Sequence, residues 1–276
     1  NTVIKIDDEA FNNCSNLKTV ELSEGLESIG NSAFSSCESL TSVDLPDTII
    51  QMGRAFIKCR SLKSVILPPN LKTIESYTFD QCENLETVSL PDSIEQIEKG
   101  AFYGCKSLKS ISLPQGLKNI GSQAFYNCET IKSISIPDEI SQIESEVFYG
   151  CKSLRSITLS QNIESIGDNA FRKCSALKEI VLPESITSIG ELAFDNCSSL
   201  QKINIPQNLK ELKRGAFFGC ERLESITIPD TITSLEDHVF NGCSQLKNIV
   251  LPQNLKNIGE DAFDGCKALE KITLPD

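Results

Sequence analysis

Residues 108–128 read Leu108-Lys109-Ser110-Ile111-Ser112-Leu113-Pro114-Gln115-Gly116-Leu117-Lys118-Asn119-Ile120-Gly121-Ser122-Gln123-Ala124-Phe125-Tyr126-Asn127-Cys128, and the rest of the chain is laid out as copies of this stretch. Its closing pair, Phe125/Cys128, recurs as Phe11/Cys14, Phe34/Cys37, Phe56/Cys59, Phe79/Cys82, Phe102/Cys105, Phe148/Cys151, Phe171/Cys174, Phe194/Cys197, Phe217/Cys220, Phe240/Cys243 and Phe263/Cys266. Successive cysteines are 23 residues apart, except that Cys37 to Cys59 is 22. A period held this tightly over twelve copies means that one supersecondary unit is stacked, each copy contacting mainly its neighbours. The whole chain, 1–276, therefore reads as a single array rather than two globular domains.

Aligned, the copies read Leu-x-x-Ile-x-Leu-Pro-x-x-Leu-x-x-Ile-(Gly/Glu)-x-x-Ala-Phe-x-x-Cys. The alternation in Leu-x-x-Ile-x-Leu, with Ser, Thr and β-branched neighbours, predicts a short strand with one face inward. Proline follows in all copies but those with Ser23 and Ser160, and it ends the strand because it cannot donate to a ladder. The Ala-Phe-x-x-Cys segment has room for about one helical turn, and Gly or Asn just before many cysteines (Gly104, Asn127, Gly150, Asn196) supplies the left-handed residue that stops it. Eight core positions in each of twelve copies make 96, and all but Thr78 are apolar. The third copy, around Met52-Gly53-Arg54-Ala55-Phe56, is one residue short and is expected to bend or tighten its coil.

The full pattern resembles the BspA-type, or Treponema-type, leucine-rich repeat, and the match runs through the whole chain. The resemblance implies a leucine-rich-repeat solenoid: β-rich, twelve 23-residue coils with a parallel sheet and short helical turns. It also implies a non-enzymatic binding scaffold, typically exported or surface-attached, for which adhesion to host or neighbouring-cell proteins is the usual proposal. It supplies no catalytic residue. The chain opens within a repeat at Val3/Ile6 and closes within one at Pro275-Asp276, so caps and targeting signals are expected elsewhere or not at all.

Composition excludes several function classes. The formal charge of −12 and a pI near 4.7 oppose nucleic acid or an anionic membrane as partner of the chain as a whole. No apolar run approaches a transmembrane length, so direct membrane insertion is not expected. The twelve cysteines count the repeats and lack the close spacing of zinc sites, and stacked side chains sit poorly for disulfide geometry. They read as buried thiols acting as small hydrophobes. The single histidine, His238, lies in a turn, and no triad, phosphate loop or calcium loop is present. No enzymatic activity, metal or cofactor is expected.

The informative residues are then those the core does not use. Tyr103, Tyr126 and Tyr149 follow the core phenylalanine in three consecutive copies and are expected to form an outward-facing ladder of rings. Lys109, Lys132, Arg155 and Lys178 share another column, the residue after the leucine that opens the strand, within a stretch of nearly balanced charge. Tyrosine and arginine are the residues of binding hot spots, so these seven positions are the candidate partner-binding surface, for another protein of acidic character. The strand face offers a rival. Its hydroxylic columns (Thr87, Ser89, Ser110, Ser112, Ser133, Ser135, Ser156, Thr158) suit a carbohydrate, though without an aromatic platform. A passive spacer is the third reading. The location expected is the cell surface or extracellular space.

Overall fold

The computed structural model describes residues 3–275, so Asp276 lies outside the described residues. The chain divides into two compact units, Asn1–Glu139 and Ile140–Asp276, each built from the same coil. In most coils the Ile-x-Leu segment, the later Leu-x-x-Ile segment or both form strands of two or three residues, so each unit carries two columns of parallel strands. In the first unit Ser64–Ile66 pairs with Thr87–Ser89, and Thr73–Ile74 pairs with Gln96–Ile97, which pairs in turn with Asn119–Ile120. In the second, Ser225–Thr227 pairs with Asn248–Val250, and Ser165–Ile166 lies between Gln142–Ile143 and Ser188–Ile189. The register is one repeat throughout, Ile74 against Ile97 and Ile166 against Ile189, because any other offset would turn the isoleucines out of the core.

The phenylalanines fill the interior as ladders. Ring centroids along Phe11, Phe34, Phe56, Phe79, Phe102 and Phe125 in the first unit are 5.2–5.8 Å apart, with planes within 6° of parallel. Along Phe148, Phe171, Phe194, Phe217, Phe240 and Phe263 in the second they are 5.3–5.6 Å apart. Thr78, the one polar residue among the core positions, is fully buried with its hydroxyl donating to the Glu75 carbonyl at 2.7 Å. Ser160, standing where most copies have proline, accepts the Asn162 N–H at 3.0 Å on its own hydroxyl and so keeps the turn closed.

The expected helical turn is absent: the described residues contain no helix. The Ala-Phe-x-x-Cys segment instead carries two left-handed residues, two before and two after the phenylalanine, such as Tyr77 (φ 61°) and Gln81 (φ 55°) around Phe79. They set alternate amides in opposite service. Tyr77, Phe79 and Gln81 donate to Lys99, Ala101 and Tyr103 of the next coil at 3.0, 2.9 and 2.7 Å, while Thr78, Asp80 and Cys82 donate back within their own coil. A helix commits all its interior amides to its own carbonyls. A solenoid with a strandless side has to send some of them to its neighbour, and buried amides left without a partner would be costly. The short third copy loses the first of these residues. Arg54 is not left-handed, only Lys58 (φ 59°) is, and Phe56 keeps its stack with Phe34 and Phe79 at 5.5 and 5.8 Å.

The cysteines are all free thiols, ten of them buried, with Cys14 exposed and Cys266 half-buried. They do more than fill space. In the first unit Cys37, Cys59, Cys82, Cys105 and Cys128 donate S–H to the carbonyl of the phenylalanine one coil back, at 3.1–3.2 Å. Cys174, Cys197, Cys220, Cys243 and Cys266 do the same in the second at 3.1–3.3 Å.

Candidate interaction surfaces

The first unit holds Tyr103, Tyr126, Lys109 and Lys132. Coil spacing brings the two tyrosine rings face to face, centroids 4.5 Å apart and planes 2° from parallel, and both residues are half-buried. Each ring turns one face to the other, so the pair covers one face of each. Offset stacking of this kind adds roughly 0.5–1.5 kcal/mol beyond area burial. Lys109 is exposed and ion-paired with Glu86, whose carboxyl is held below its usual range by the lysine's hydrogen bond and charge. Lys106 reaches Glu83 at 3.3 Å. Both pairs are solvent-exposed and add little stability, and each glutamate offsets the charge of its lysine. Lys132 is exposed. In the tyrosine column one coil earlier, Asp80 is half-buried. Burial raises its carboxyl pKa while the charge of Lys58 opposes the rise.

The second unit holds Tyr149, Arg155 and Lys178. Tyr149 is half-buried, and two cations lie over its ring, Arg172 Cζ at 5.8 Å and Lys173 Nζ at 5.2 Å from the centroid. Arg172 is also ion-paired with Asp195, its Nε 2.7 Å from Oδ2, and its Nη1 donates to Asn169 Oδ1 at 3.2 Å. Asp195 is only 2% exposed. Burial raises its carboxyl pKa, and Arg172 is the largest influence pulling it back down. Arg155 and Lys178 are exposed, and neither has an ion pair among the described residues. His238 sits in the left-handed position before Phe240, half-buried, with Nδ1 3.7 Å from Asp261 Oδ2.

The strand faces are open. Thr87, Ser89, Ser110, Ser112, Ser133 and Ser135 are exposed in the first unit, along shallow grooves of about 440 and 370 Å³. The second unit has a larger groove of about 580 Å³ between Glu179 and Thr227. Val181, on its rim, is 73% exposed, as is Ile66 on the same column of the first unit. The sequence singles out both as apolar residues the core does not use, but it does not mark the groove. Among the described residues, no group of three or more His, Cys, Asp or Glu side chains is placed to hold a metal ion. No helix is long and apolar enough to cross a membrane.

The model of the BspA type leucine rich repeat region matches residues 1–106, 72–179 and 164–276. The chain belongs to this leucine-rich repeat family. A leucine-rich repeat protein from Bacteroides ovatus is 30% identical with a TM-score of 0.91, the alignment covering 99% of this chain and 70% of that one. A leucine rich cell surface protein from Faecalibacterium prausnitzii is also 30% identical, with a TM-score of 0.63 and coverage of 98% and 76%. A leucine-rich repeat protein from Eubacterium ventriosum follows at 25% identity, TM-score 0.64, covering 100% and 77%. Among curated proteins, none matches the chain. Leucine-rich repeat proteins are generally scaffolds for protein interaction.

Proposed function

We propose that this chain is a non-enzymatic protein-binding module, one repeat array of a cell-surface or secreted protein, acting in adhesion or a comparable contact. What carries the reading is the Tyr103–Tyr126 stack, which lies within a few residues of the exposed Lys106, Lys109 and Lys132 of an otherwise acidic chain. Stacked rings are already ordered before a partner arrives, so little side-chain entropy is lost when they are covered. In the first unit the contact is assigned to Tyr103, Tyr126, Lys109 and Lys132. In the second it is assigned to Tyr149, Arg155 and Lys178. The partner is another protein, acidic where it meets these residues. The surface assignment also draws support from the Faecalibacterium relative, which is described as a cell surface protein.

A carbohydrate reading is less favoured by the geometry: sugars stack on open aromatic faces, and one face of each tyrosine ring of the first unit is covered by the other. The test is binding of the labelled chain to an array of purified bacterial and host extracellular protein domains, with a glycan array run beside it. Protein hits are expected, and Tyr103→Ser with Tyr126→Ser is expected to weaken them by about 2 kcal/mol, as hot spots do. Tyr149→Ser is scored separately. Glycan hits without protein hits, or affinity indifferent to all these tyrosines and to Lys109→Glu and Lys178→Glu, would overturn the assignment.

A further inference from the structure

In the second unit one rung of the strand column is bridged by a side chain. In two other coils the residue that closes the Ile-x-Leu segment donates its amide to the backbone of the next coil: Leu67 N–H to the Ser89 carbonyl at 3.0 Å, Ile228 N–H to the Val250 carbonyl at 2.9 Å. At Leu182 a side chain takes both roles. Asn204 Oδ1 accepts the Leu182 N–H at 2.8 Å and Asn204 Nδ2 donates to the Leu182 carbonyl at 2.7 Å. The consequence is visible in the pairing, which runs three residues for Ser225–Thr227 on Asn248–Val250 but only two for Glu179 and Ile180 on Lys202 and Ile203. The groove of about 580 Å³ opens at this point.

Its lining carries charge on Glu179 and Lys202 where the grooves of the first unit carry Ser and Thr. Val181 is 73% exposed, and Glu179 and Lys202 stand on paired rungs without an ion-pair partner among the described residues. Glu184 is committed, its Oε2 accepting the Gln207 N–H at 2.9 Å. None of the lining residues is aromatic, so a sugar ring would find no platform, and an uncharged ligand covering Glu179 and Lys202 would strip them of water without replacing it. A phosphate-rich polymer is repelled by Glu179.

We propose that this groove binds an extended peptide segment of a partner protein that presents an apolar side chain to Val181, a basic group to Glu179 and an acidic group to Lys202. The assignment rests on the reading of the chain as a protein-binding module, but it concerns a surface separate from the tyrosines. The complementary charges would fix the register of the segment, and the Val181 contact would supply the buried area.

The experiment is panning of phage-displayed random heptapeptides on the chain, followed by affinity measurement against a Val181→Ser/Lys202→Glu variant. Both replacements are residues that other coils carry in the same columns (Ser89, Ser112; Glu179), so the fold is expected to hold, with circular dichroism and melting as the check. Enriched sequences are expected to set an apolar residue beside a base and an acid, and to bind the variant about tenfold more weakly, the loss of a single good contact. No enrichment, equal binding to the variant, or glycans retained by the native chain and lost by the variant would each overturn the proposal. If such an outcome comes with protein hits that depend on the tyrosines, the groove is wrong and the module reading stands.

Discussion

The Cys82 thiol donates to the Phe56 carbonyl at 3.1 Å, and the same carbonyl accepts the Cys59 N–H of its own coil at 3.2 Å. One oxygen thus ties the turn of a coil to the side chain of the next. This explains why each copy carries cysteine there rather than alanine or valine: the site asks for a small apolar group with one weak donor, and a thiol is both.

Such thiols are expected to be inert and to make the protein fragile in alkali. Burial raises the pKa of Cys37 and Cys266 from 9.0 to about 11, and the thiols of Cys82, Cys105, Cys174 and Cys220, buried deeper, go higher still. In the unfolded chain each releases its proton near 9, whereas the folded chain retains it, so the unfolded state binds fewer protons and stability falls as pH rises above 9. Thiol titration at pH 8 is expected to find Cys14 reactive, Cys266 slowly so, and nearly all twelve after denaturation. Urea midpoints are expected to be flat from pH 7 to about 8 and to drop steeply from about 9 upward. A flat profile to pH 11 would contradict the burial, and Cys82→Ala costing under about 0.5 kcal/mol would remove the donor from the account.

A second prediction concerns a pair of neighbouring coils. Gly100 has φ +62°, and a Cβ there would stand 2.4 Å from Cε1 of Tyr77, whose ring lies across it, with the hydroxyl 3.4 Å from Gln123 Oε1 two coils on. Gly100→Ala is therefore expected to destabilise through both clash and backbone. Tyr77→Ser, a residue the second copy carries in that column as Ser32, removes the clash alone. In a double-mutant cycle the alanine is expected to cost at least about 2 kcal/mol with Tyr77 present and about 1 kcal/mol without it, the remainder being the left-handed penalty. Equal costs in the two backgrounds would show that the ring gives way freely.

What the sequence discloses and what it hides divide on physical lines. The Phe and Cys ladders and the Ile-x-Leu strands are legible because burial imposes a period that residues such as Val65, Val88 and Ile111 repeat without fail. The left-handed residue before cysteine is legible at Gly104 or Asn127, which advertise positive φ. Its twin two residues before phenylalanine is only partly so: Gly100, Gly215 and Asn169 signal it, but Tyr77, Gln123 and Leu192, residues with no such preference, hide it; amides aimed at the next coil force the conformation there, at roughly 1–2 kcal/mol each. Reading one helical turn there follows from local signals alone. The tyrosine column is visible in the sequence, but the face-to-face stacking of Tyr103 on Tyr126 is set by coil spacing. Asn204 reads as drift from serine until its amide is seen holding Leu182.

The last prediction separates the roles of Arg172 and Asp195. The carboxylate is 2% exposed and burial alone disfavours its charge, so the guanidinium 2.7 Å away is what makes ionised Asp195 tolerable at neutral pH. Removing one partner of a buried pair leaves a charge without compensation, whereas removing both charges can be nearly neutral. Arg172→Ala is expected to cost about 2 kcal/mol at pH 7, at the lower end for buried pairs because the arginine itself is partly exposed. Arg172→Ala with Asp195→Asn is expected to recover most of it. The sign of the pH dependence follows. The Asp195 pKa is already raised in the folded protein, and without Arg172 it rises further, so the folded single variant binds a proton that the unfolded chain releases. Its stability deficit is therefore expected to shrink as pH falls from 7 toward 4. Tyr149 supplies the internal control, since the Arg172 side chain also lies over its ring: Tyr149→Ser is expected to lower stability by about 1 kcal/mol with no such pH dependence. A deficit in Arg172→Ala that stays constant over that range would mean the arginine acts through packing on Tyr149 rather than through the buried charge.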